Sequence, residues 1–542
     1  MHRMSLFFSL IRNMYLLKPT FMMEKTRLFG LYLFLLIVTA ACSKESYEPE
    51  PSPSGGGSTI NPTVTISEEI QRADVFAQDV LRLYYLWNKE ITNAIDSQLD
   101  PNTCGDPVAT VAKIRYKQGG GFNTKQDEDR WTKLFDDITP FMESVQSVET
   151  TNGMSLSVGK FSGTSPQQYF FIVNLVYEGG PAENEGLKRG DIIISYNGKD
   201  ITDANLEEAY YSEQTAEYGL GEWLADGIYD LGTSVLLTPV KMYLDPIICN
   251  KTFEVGSKKV GYLMYDSFDL NSSNKLINVC KQFKSEGVTE LILDLRYNGG
   301  GYVFTENLLA SMLVPETNVQ AGNLYEQEIY NDELTEAYSK RFGKDFNKTF
   351  FSFNHEYGEK GDADYMKFST NGANIGLTKI YAIVSGETAS ASEALLVGLS
   401  PYIDIVIIGE QTHGKYCSGY ILSVEDVYNI PPVSISKWGL YVMVSTYADR
   451  DNKNIARPVG IIPNIGVKDT PWEGLSIGNE NEAMLKAALQ AAGKVYPSVA
   501  VATTRSFENK PTIDIKMMHN KLNFGKRIKQ LPVKLEDMLE VR

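Results

Sequence analysis

The sequence predicts a multidomain α/β protein, and three observations support this prediction. The chain has 542 residues, more than one core accommodates at roughly 100–200 residues per domain. Hydrophobic residues make up 43% and charged residues 22% of the chain, as in ordinary globular proteins. From about residue 255 onward, short apolar strands alternate with helical segments, which is typical of a mostly parallel sheet covered by helices.

The charge and the rare residue types exclude several function classes. Lys+Arg 51 against Asp+Glu 68 gives a net charge of −17 at pH 7. An acidic chain repels phosphate backbones, so we expect no nucleic-acid partner. Five cysteines without a Cys-x-x-Cys pair and four scattered histidines show no pattern of metal ligands. We therefore expect neither a metal ion nor another cofactor.

The N-terminus reads as an export signal, which we assign to residues 1–41. A charged stretch begins at Met23 and an apolar run follows over 28–41, so residues 1–22 fit an upstream mis-start. The run has about 14 residues, fewer than the roughly 18–20 that span a bilayer, which favours a cleaved signal. Small residues precede Cys42, as in bacterial lipoprotein processing sites, so we expect this cysteine to be lipidated. An ordinary secretory signal cleaved just before it is the alternative.

Residues 42–66 form a tract rich in Pro, Gly, Ser and Glu. Such a tract buries no core, and we interpret it as a flexible tether. Its start, Ser43-Lys44-Glu45, resembles the surface-export signal of Bacteroidetes lipoproteins. Together with the lipidated cysteine, it predicts a protein of the cell envelope that a lipid anchors in the outer membrane, exposed at the cell surface.

Residues 67–145 are predicted to form an N-terminal helical region. Ser67 followed by two glutamates is a helix start, and apolar residues recur at helical spacing from Ile70 to Trp87. The region also carries an aromatic stripe at Tyr84, Tyr85, Trp87, Trp131 and Phe135. We expect these rings to form a core rather than a ligand platform.

The pattern changes to short strands between residues 150 and 245. Strands are predicted at Tyr169–Val176 and Ile192–Tyr196, with a short helix near 182–186 between them and an Asn-Gly turn after the second. The string Gly-Gly-Pro-Ala-Glu-Asn-Glu-Gly-Leu-Lys-Arg-Gly-Asp at 179–191 closely resembles a PDZ domain. We therefore expect a PDZ-like β domain at 150–245.

The PDZ resemblance implies a peptide-binding edge. PDZ domains bind extended C-termini by adding a strand to an exposed sheet edge, and backbone N–H groups capture the terminal carboxylate. The corresponding loop and edge strand here is 153–158. Its peptide-binding residues are Met154, Ser155 and Leu156. An insertion at 203–230 leaves the groove boundaries open, and a β-rich spacer without a ligand is the alternative.

Three informative loops follow strands of the predicted α/β core at 255–475. They are Asp294–Gly301, Gly386–Glu393 and Gly409–Tyr416. Reacting groups in parallel sheets ordinarily lie at the C-terminal ends of strands, so we expect the three loops to meet. The triple glycine that closes the first loop permits positive φ and lets backbone N–H groups face a bound atom. A tight turn without any role in binding would show the same run of glycines.

The second and third loops offer a nucleophile and a base. Ser390 stands at a strand-to-helix turn, where the helix dipole favours negative charge, and the N–H of Ala391 is a natural oxyanion donor. Ser390 and Glu393 also fit a capping box, so the serine has a structural alternative. His413 and Lys415 are both candidate bases, and the lysine serves only if burial lowers its pKa.

Together with a later Gly460-Ile461-Ile462-Pro463, these loops resemble the C-terminal processing, or tail-specific, serine proteases. The resemblance implies a crotonase-like α/β serine protease core with Ser390 as the nucleophile and Lys415 as the base. It also implies that the backbone N–H groups of Gly300 and Ala391 are the oxyanion donors. Polypeptides with free C-termini are the implied substrates, and no cofactor is implied.

One departure from the family leaves the mechanism open. Position 419 is glycine where many members carry a glutamine that orients the lysine, so either Ser418 replaces it or the enzyme runs as a simple dyad. We predict a serine endopeptidase whose PDZ-like domain recognises polypeptides by their C-termini. A catalytically inactive, peptide-tail-binding lipoprotein is the alternative. Residues 476–542 predict a helix at Glu480–Ala491 followed by a basic, irregular tail.

Overall fold

This computed structural model describes residues 66–117, 128–224, 227–496, 516–517 and 526–530. The predicted signal peptide, nearly all of the tether and the predicted lipidation site Cys42 lie outside the described residues, as does most of the tail. No helix within the described ranges combines the length and the apolar character that crossing a bilayer requires.

The N-terminal region contributes helices and one strand to the core. Ser67 caps the first helix, since its Oγ accepts a hydrogen bond from Ile70 N–H at 3.3 Å. The short strand of this region pairs antiparallel with Gly439–Asp449 of the core, and the predicted aromatic stripe is buried. The region therefore packs as part of the core. Its elements are α1 Glu68–Tyr84, α2 Asn88–Gln98, α3 Pro107–Ile114, β1 Lys133–Phe135 and α4 Thr139–Ser144.

The PDZ-like region is a sheet with two short helices. Its elements are β2 Val148–Thr151, β3 Met154–Lys160, β4 Gln168–Val176, α5 Pro181–Asn184, β5 Ile192–Tyr196, β6 Lys199–Thr202, α6 Leu206–Tyr210, β7 Ala216–Leu224, β8 Gly227–Leu237 and β9 Val240–Tyr243. The strand order is β3-β4-β6-β5-β7-β8. The predicted Asn-Gly turn closes β5, with φ of 51° at Asn197 and 70° at Gly198, as a two-residue hairpin turn requires. The insertion after β6 forms α6 and then the β7–β8 hairpin, which extends the sheet.

The protease-like core alternates strands and helices, as predicted. Its strands are β10 Ile247–Val255, β11 Lys258–Tyr265, β12 Glu290–Asp294, β13 Gly300–Tyr302, β14 Leu324–Tyr330, β15 Lys348–Phe350, β16 Asn354–Tyr357, β17 Met366–Ser369, β18 Lys379–Val384, β19 Asp404–Gly409, β20 Cys417–Ser423, β21 Gly439–Asp449 and β22 Ile465–Gly466. Its helices are α7 Ser273–Glu286, α8 Val303–Leu313, α9 Glu316–Gln320, α10 Asp332–Phe342, α11 Ala391–Leu399, α12 Val424–Val427 and α13 Ala483–Ala491.

The first core sheet is parallel from β11 onward, in the order β10-β11-β12-β18-β19-β22. Alternate residues of β12 face opposite sides of it. Leu291 and Leu293 lie in the hydrophobic cluster with α7, α8 and α11, whereas Ile292 lies in the cluster with α13. A sheet buried on both faces explains why its strands read as nearly continuous apolar runs.

The second core sheet includes part of the tail that the sequence predicts to be irregular. That prediction is wrong for two short segments, β23 Lys516–Met517 and β24 Lys526–Ile528. β24 is an interior strand in the order β13-β24-β20-β21-β14-β15, and β23 pairs with β3. Neither segment carries a strand pattern of its own, because the pairing partners come from distant parts of the chain.

Candidate active site

The C-terminal ends of three neighbouring strands bring the predicted catalytic loops together. β12, β18 and β19 lie side by side in parallel. Two backbone hydrogen bonds then join the loops: Ala389 N–H donates to Asn298 O at 3.1 Å, and His413 N–H donates to Thr388 O at 3.0 Å. The three loops therefore form one site, as the strand order in the sequence predicts.

Ser390 immediately precedes α11 and is fully buried. Its φ is 67° and its ψ −113°, a region that residues other than glycine rarely adopt, so the turn is strained. Its Oγ faces the Glu393 N–H in the predicted capping-box arrangement, but it makes no hydrogen bond of ordinary geometry among the described residues. The backbone N–H instead donates to the Glu393 carboxylate at 2.9 Å. Ser390 thus holds an uncommitted hydroxyl on a strained turn.

The Glu393 carboxylate joins the turn of Ser390 to the turn of Lys415. One of its oxygens accepts the backbone N–H groups of Ser390 at 2.9 Å and Lys415 at 2.8 Å. The other accepts Gly414 N–H at 2.7 Å and the Thr412 hydroxyl at 2.5 Å. Burial raises the Glu393 pKa to about 7, while the four donors oppose this rise by favouring the charged form. The sequence indicated this residue only as a capping partner.

Lys415 is fully buried rather than solvated. Its Nζ lies 2.7 Å from the Tyr441 hydroxyl and 5.6 Å from the centre of the Trp131 ring. Burial lowers the Lys415 pKa to about 7, because an apolar surrounding disfavours the ammonium. A neutral amine is therefore available near pH 7. His413, the other candidate base, packs its ring beside Trp131, with the ring centres 6.4 Å apart.

Tyr441 occupies the space that the family's glutamine would need. A Cβ at Gly419 would lie 2.6 Å from the Tyr441 ring and 2.6 Å from the Met443 side chain, so glycine is required there. The proposed substitute Ser418 does not serve this purpose in the structure, since its hydroxyl accepts a hydrogen bond from Arg527 Nη1 at 2.5 Å. The Tyr441 hydroxyl is the partner of the Lys415 amine. The sequence marked Trp131 only as a core ring and did not mark Tyr441, because both are distant in sequence from the loops.

The two predicted oxyanion donors are placed differently. Gly300 has φ 105°, and a Cβ on it would lie 2.9 Å from Ser390 Cβ and 3.0 Å from Ala391 N, so its backbone lies directly against the serine turn. Its N–H, however, donates to Asn298 Oδ1 at 2.8 Å. Ala391 is the first residue of α11, where backbone N–H groups have no partner within the helix.

Comparisons with known proteins assign the two regions. Residues 259–467 match the family model described as Peptidase family S41, and residues 172–211 match the PDZ domain. The chain carries a serine-type peptidase domain of family S41. Its PDZ domain corresponds to the segment from β4 to α6 of the predicted PDZ-like region. Its peptidase domain corresponds to the predicted core.

Named relatives support the same family. The chain is 24% identical over 367 residues to a carboxyl-terminal-processing protease of Picosynechococcus sp. (strain ATCC 27264 / PCC 7002 / PR-6), covering 67% of this chain and 75% of the relative. It is 23% identical over 344 residues to the protein of the same name in Synechocystis sp. (strain ATCC 27184 / PCC 6803 / Kazusa), covering 63% and 69%. A candidate S41 protease of Bacteroides fragilis NCTC 9343 has a similar fold, with a TM-score of 0.56 and 22% identity over 82% of this chain and 99% of that one.

In this peptidase a cavity of about 1040 Å³ lies between the PDZ edge and the predicted catalytic loops. The predicted peptide-binding residues Met154, Ser155 and Leu156 line it. So do Glu387, from the loop that carries Ser390, and Lys526 of the tail. The cavity therefore adjoins both the PDZ edge and the nucleophile loop.

The Asp294-Leu295-Arg296 segment anchors the glycine loop of this peptidase. The fully buried Arg296 guanidinium bonds the Asp294 carboxylate at 2.7 Å, Glu482 at 2.8 Å and Asp469 at 3.1 Å. Arg189 of the PDZ domain bonds the same Asp469 at 2.5 Å. These arginines hold the pKa of Asp469 and Glu482 below the ordinary range, against the effect of burial. Among the described residues no cluster of His, Cys, Asp or Glu is placed to hold a metal ion.

Proposed function

We propose that this S41 peptidase is an endopeptidase in which Ser390 is the nucleophile and Lys415 the general base. The observation that carries the proposal is the shared Glu393 oxygen, which holds the backbones of Ser390 and Lys415 on either side of one atom. Around it stand an uncommitted serine hydroxyl and a desolvated lysine. A serine is activated by an adjacent base, and a lysine serves as that base only when it is neutral.

In the acylation step Ser390 Oγ attacks the peptide carbonyl carbon and transfers its proton to the neutral Lys415 amine. The carbonyl oxygen becomes an oxyanion, which Ala391 N–H and the start of α11 stabilise. When the C–N bond breaks, the leaving amine takes the proton from the Lys415 ammonium. An acyl-enzyme ester on Ser390 and a free amine result.

In the deacylation step a water attacks the ester carbonyl while Lys415 accepts its proton. Collapse of the second tetrahedral intermediate returns that proton to Ser390 Oγ and releases the carboxylic acid. Gly300 N–H becomes the second oxyanion donor once it leaves Asn298, its present acceptor. The Tyr441 hydroxyl keeps the Lys415 amine oriented through the cycle.

The PDZ domain selects the substrate by its free C-terminus. Strand β3 offers an edge for β-addition, and its first residues line the cavity that reaches the nucleophile loop. A polypeptide bound there by its terminus has an extended route towards Ser390. We therefore assign peptide binding to Met154, Ser155 and Leu156.

The test measures cleavage of an unstructured polypeptide with an apolar C-terminus by the chain and its variants. Ser390→Ala and Lys415→Arg should abolish cleavage with folding retained, since a guanidinium does not deprotonate at ordinary pH. Ser400→Ala, at the other end of the same helix, is the matched control and should retain activity. Undiminished cleavage by Ser390→Ala would overturn the proposal.

We further propose that Cys42 is lipidated and anchors the peptidase in the cell envelope, at the outer membrane. The proposal is supported by the sequence around this cysteine. Metabolic labelling with a fatty-acid analogue should mark the parent chain and not Cys42→Ser, with Cys104→Ser as the control. Labelling of Cys42→Ser, or no labelling of either the parent or the Cys104→Ser control, would contradict lipidation at Cys42.

A further inference from the structure

Strand β24 of the C-terminal tail lies between the two strands that flank the candidate site. It pairs in parallel with β13 on one side and with β20 on the other. β13 begins at Gly300 in the glycine loop, and β20 begins at Cys417, shortly after Lys415. The tail thus passes between the nucleophile side and the base side of the site.

The backbone of β24 is bound as an extended peptide. Lys526 N–H donates to Gly299 O at 2.8 Å. Arg527 N–H donates at 3.0 Å to the Tyr441 hydroxyl, which is the same group that holds the Lys415 amine. The tail therefore uses the hydrogen-bonding groups that an extended substrate would meet beside the catalytic lysine.

The carbonyl oxygen of Lys526 lies against Gly300 of the glycine loop, on the side that faces the turn of Ser390. It crowds the Cα of Gly300 so closely that no Cβ fits there. Ser390 Cβ and Ala391 N converge on the same point, at 2.9 and 3.0 Å from the position of such a Cβ. One carbonyl of the tail thus lies in the neighbourhood of the serine turn and of the start of α11.

The side chain of Arg527 fills a buried acidic pocket. Its guanidinium is fully buried and bonds Glu306 at 3.0 Å and, in addition, Glu326. It also lies 3.5 Å from Glu328 and donates to the Ser418 hydroxyl at 2.5 Å. The three glutamates come from α8 and β14, so residues far from the tail in sequence build the pocket.

The pocket carries more negative charge than its own elements balance. Burial raises the Glu306 pKa to about 8, with the charge of Glu326 adding to the rise. One oxygen of Glu326 is buried without a hydrogen-bond partner. Carboxylates taken out of water require a cation, and the planar fork of an arginine suits paired carboxylates.

The tail also occupies the PDZ edge. β23 pairs antiparallel with β3, with Lys516 opposite Val158 and Met517 opposite Ser157. Addition of a strand to this edge is how PDZ domains bind peptides. Two separate segments of one tail therefore lie where the proposed function places a polypeptide substrate.

We propose that the C-terminal tail occupies the substrate track of this peptidase in cis, and that Glu306, Glu326 and Glu328 form the subsite for an arginine side chain of the substrate. The proposal rests on the proposed function, since it names the substrate class of that site. A substrate displaces the tail and places its own arginine in the pocket. The tail itself is held uncleaved, because Gly300 N–H remains bonded to Asn298 and one oxyanion donor is missing.

The first test uses hydrogen exchange in the full Ser390→Ala chain, with a peptide of the sequence of residues 524–530 and blocked ends. The peptide is added at millimolar concentration, because a tethered tail has an effective concentration in that range. The amides of 526–528 should lose protection when the peptide binds. Unchanged protection with peptide at saturation would show a permanent strand and overturn the proposal.

The same titration tests the arginine subsite. A peptide with glutamine at the position of Arg527 should bind at least about tenfold more weakly, since Glu306 and Glu326 then lack their cation. A peptide with glutamine at the position of Lys529 serves as the comparison. It should lose less affinity, because Lys529 bonds Glu328 and Tyr330 and does not enter the pocket of Arg527. Equal affinity of the parent and Arg527-substituted peptides would overturn the subsite.

Activity supplies a second, independent readout. Arg527→Gln in the otherwise unchanged chain should raise kcat/KM for an arginine-bearing peptide about tenfold, because the weakened tail no longer competes. Lys437→Gln, which removes an exposed charge, should leave it unchanged. An Arg527→Gln chain that unfolds, or that folds without gaining activity, counts against the proposal.

The two proposals fail in different ways. Binding and exchange in Ser390→Ala require no cleavage, so tail displacement without any hydrolysis by the parent would leave the substrate track standing and overturn the proposed function. Hydrolysis by the parent, together with a tail that no peptide displaces, would leave the proposed function standing and overturn the substrate track.

Discussion

Two fully buried arginines flank the glycine loop, and each is held by three carboxylates. Arg296 bonds Asp294, Asp469 and Glu482. Arg527 is surrounded by three glutamates, namely Glu306, Glu326 and Glu328. The two clusters have the same chemistry, but their arginines differ in origin: one belongs to the loop itself and the other to the tail.

The charges of the clusters also differ. Arg296 acts together with Arg189, and the pKa values of Asp469 and Glu482 lie below the ordinary range. In the second cluster the pKa of Glu306 is raised to about 8. The first cluster takes its two arginines from fixed parts of the fold, whereas the second takes its cations, Arg527 and Lys529, from the tail. The first is therefore structural, and the second suits a ligand that exchanges.

The largest expected effect is a difference in stability between a variant of the Arg296 cluster and a variant of the Arg527 cluster. Arg296→Gln leaves buried carboxylates unpaired in a closed site and should lower the free energy of unfolding by about 3–5 kcal/mol. Arg527→Gln should cost less than about half as much, because the tail leaves and water then reaches the glutamates. Chemical denaturation of both variants measures the difference. Equal losses would mean that both clusters are structural.

The buried Glu393 sharpens the comparison, because backbone and hydroxyl donors bind it in place of an arginine. In Glu393→Gln the side-chain amide N–H group faces backbone N–H donors and accepts no hydrogen bond from them. The link between the Ser390 and Lys415 backbones therefore loosens, and kcat should fall about a hundredfold. Thermal unfolding is measured alongside. Glu425→Gln, at an exposed position of α12, is the control, and a Glu393→Gln enzyme with parental kcat would contradict the role of this link.

Neither arginine titrates near neutral pH, but Lys415 does. The Lys415 pKa is lowered to about 7, so its neutral fraction falls as pH drops below 7. Activity as kcat/KM should therefore fall about tenfold per unit on the acid side. The charge of Glu393 raises the Lys415 pKa, so Glu393→Gln should move the midpoint to lower pH. A midpoint that stays or rises would assign the profile to another group.

A smaller effect is expected at the hydroxyl shared by the lysine and the tail. Tyr441→Phe removes the partner of the Lys415 amine and the acceptor of Arg527 N–H. It should lower kcat about tenfold and also weaken tail binding. Tyr420→Phe removes a buried hydroxyl that bonds Tyr338 instead and should leave kcat unchanged. Steady-state kinetics of the two variants compare them directly.

The sequence predicted the elements whose signals are local. Strand β5, the Asn-Gly turn and the parallel strands of the first core sheet lie where apolar runs and turn residues placed them. The meeting of the three loops followed from the rule that reacting groups lie at the C-terminal ends of parallel strands. These predictions succeeded because each depends on a short stretch of chain or on a general rule of parallel sheets.

The parts that the sequence did not predict depend on distant partners. Tyr441 and Trp131 approach Lys415 from β21 and from the segment before β1, and no spacing links them to the Gly-Lys loop. The three residues of β24 show no alternation, and Arg527 resembles any basic residue of a tail. Its burial became visible only with the glutamates of α8 and β14 around it.

The central claim is that Ser390 reacts because Lys415 removes its proton. The direct measurement is labelling of the chain with a serine-reactive phosphonate, followed by mass spectrometry of the peptides at several pH values. We expect a single adduct on Ser390 that forms faster as pH rises through about 7 in the parent, and no adduct in Lys415→Arg. An adduct on another residue, or equal labelling of Ser390 in Lys415→Arg, would contradict the account.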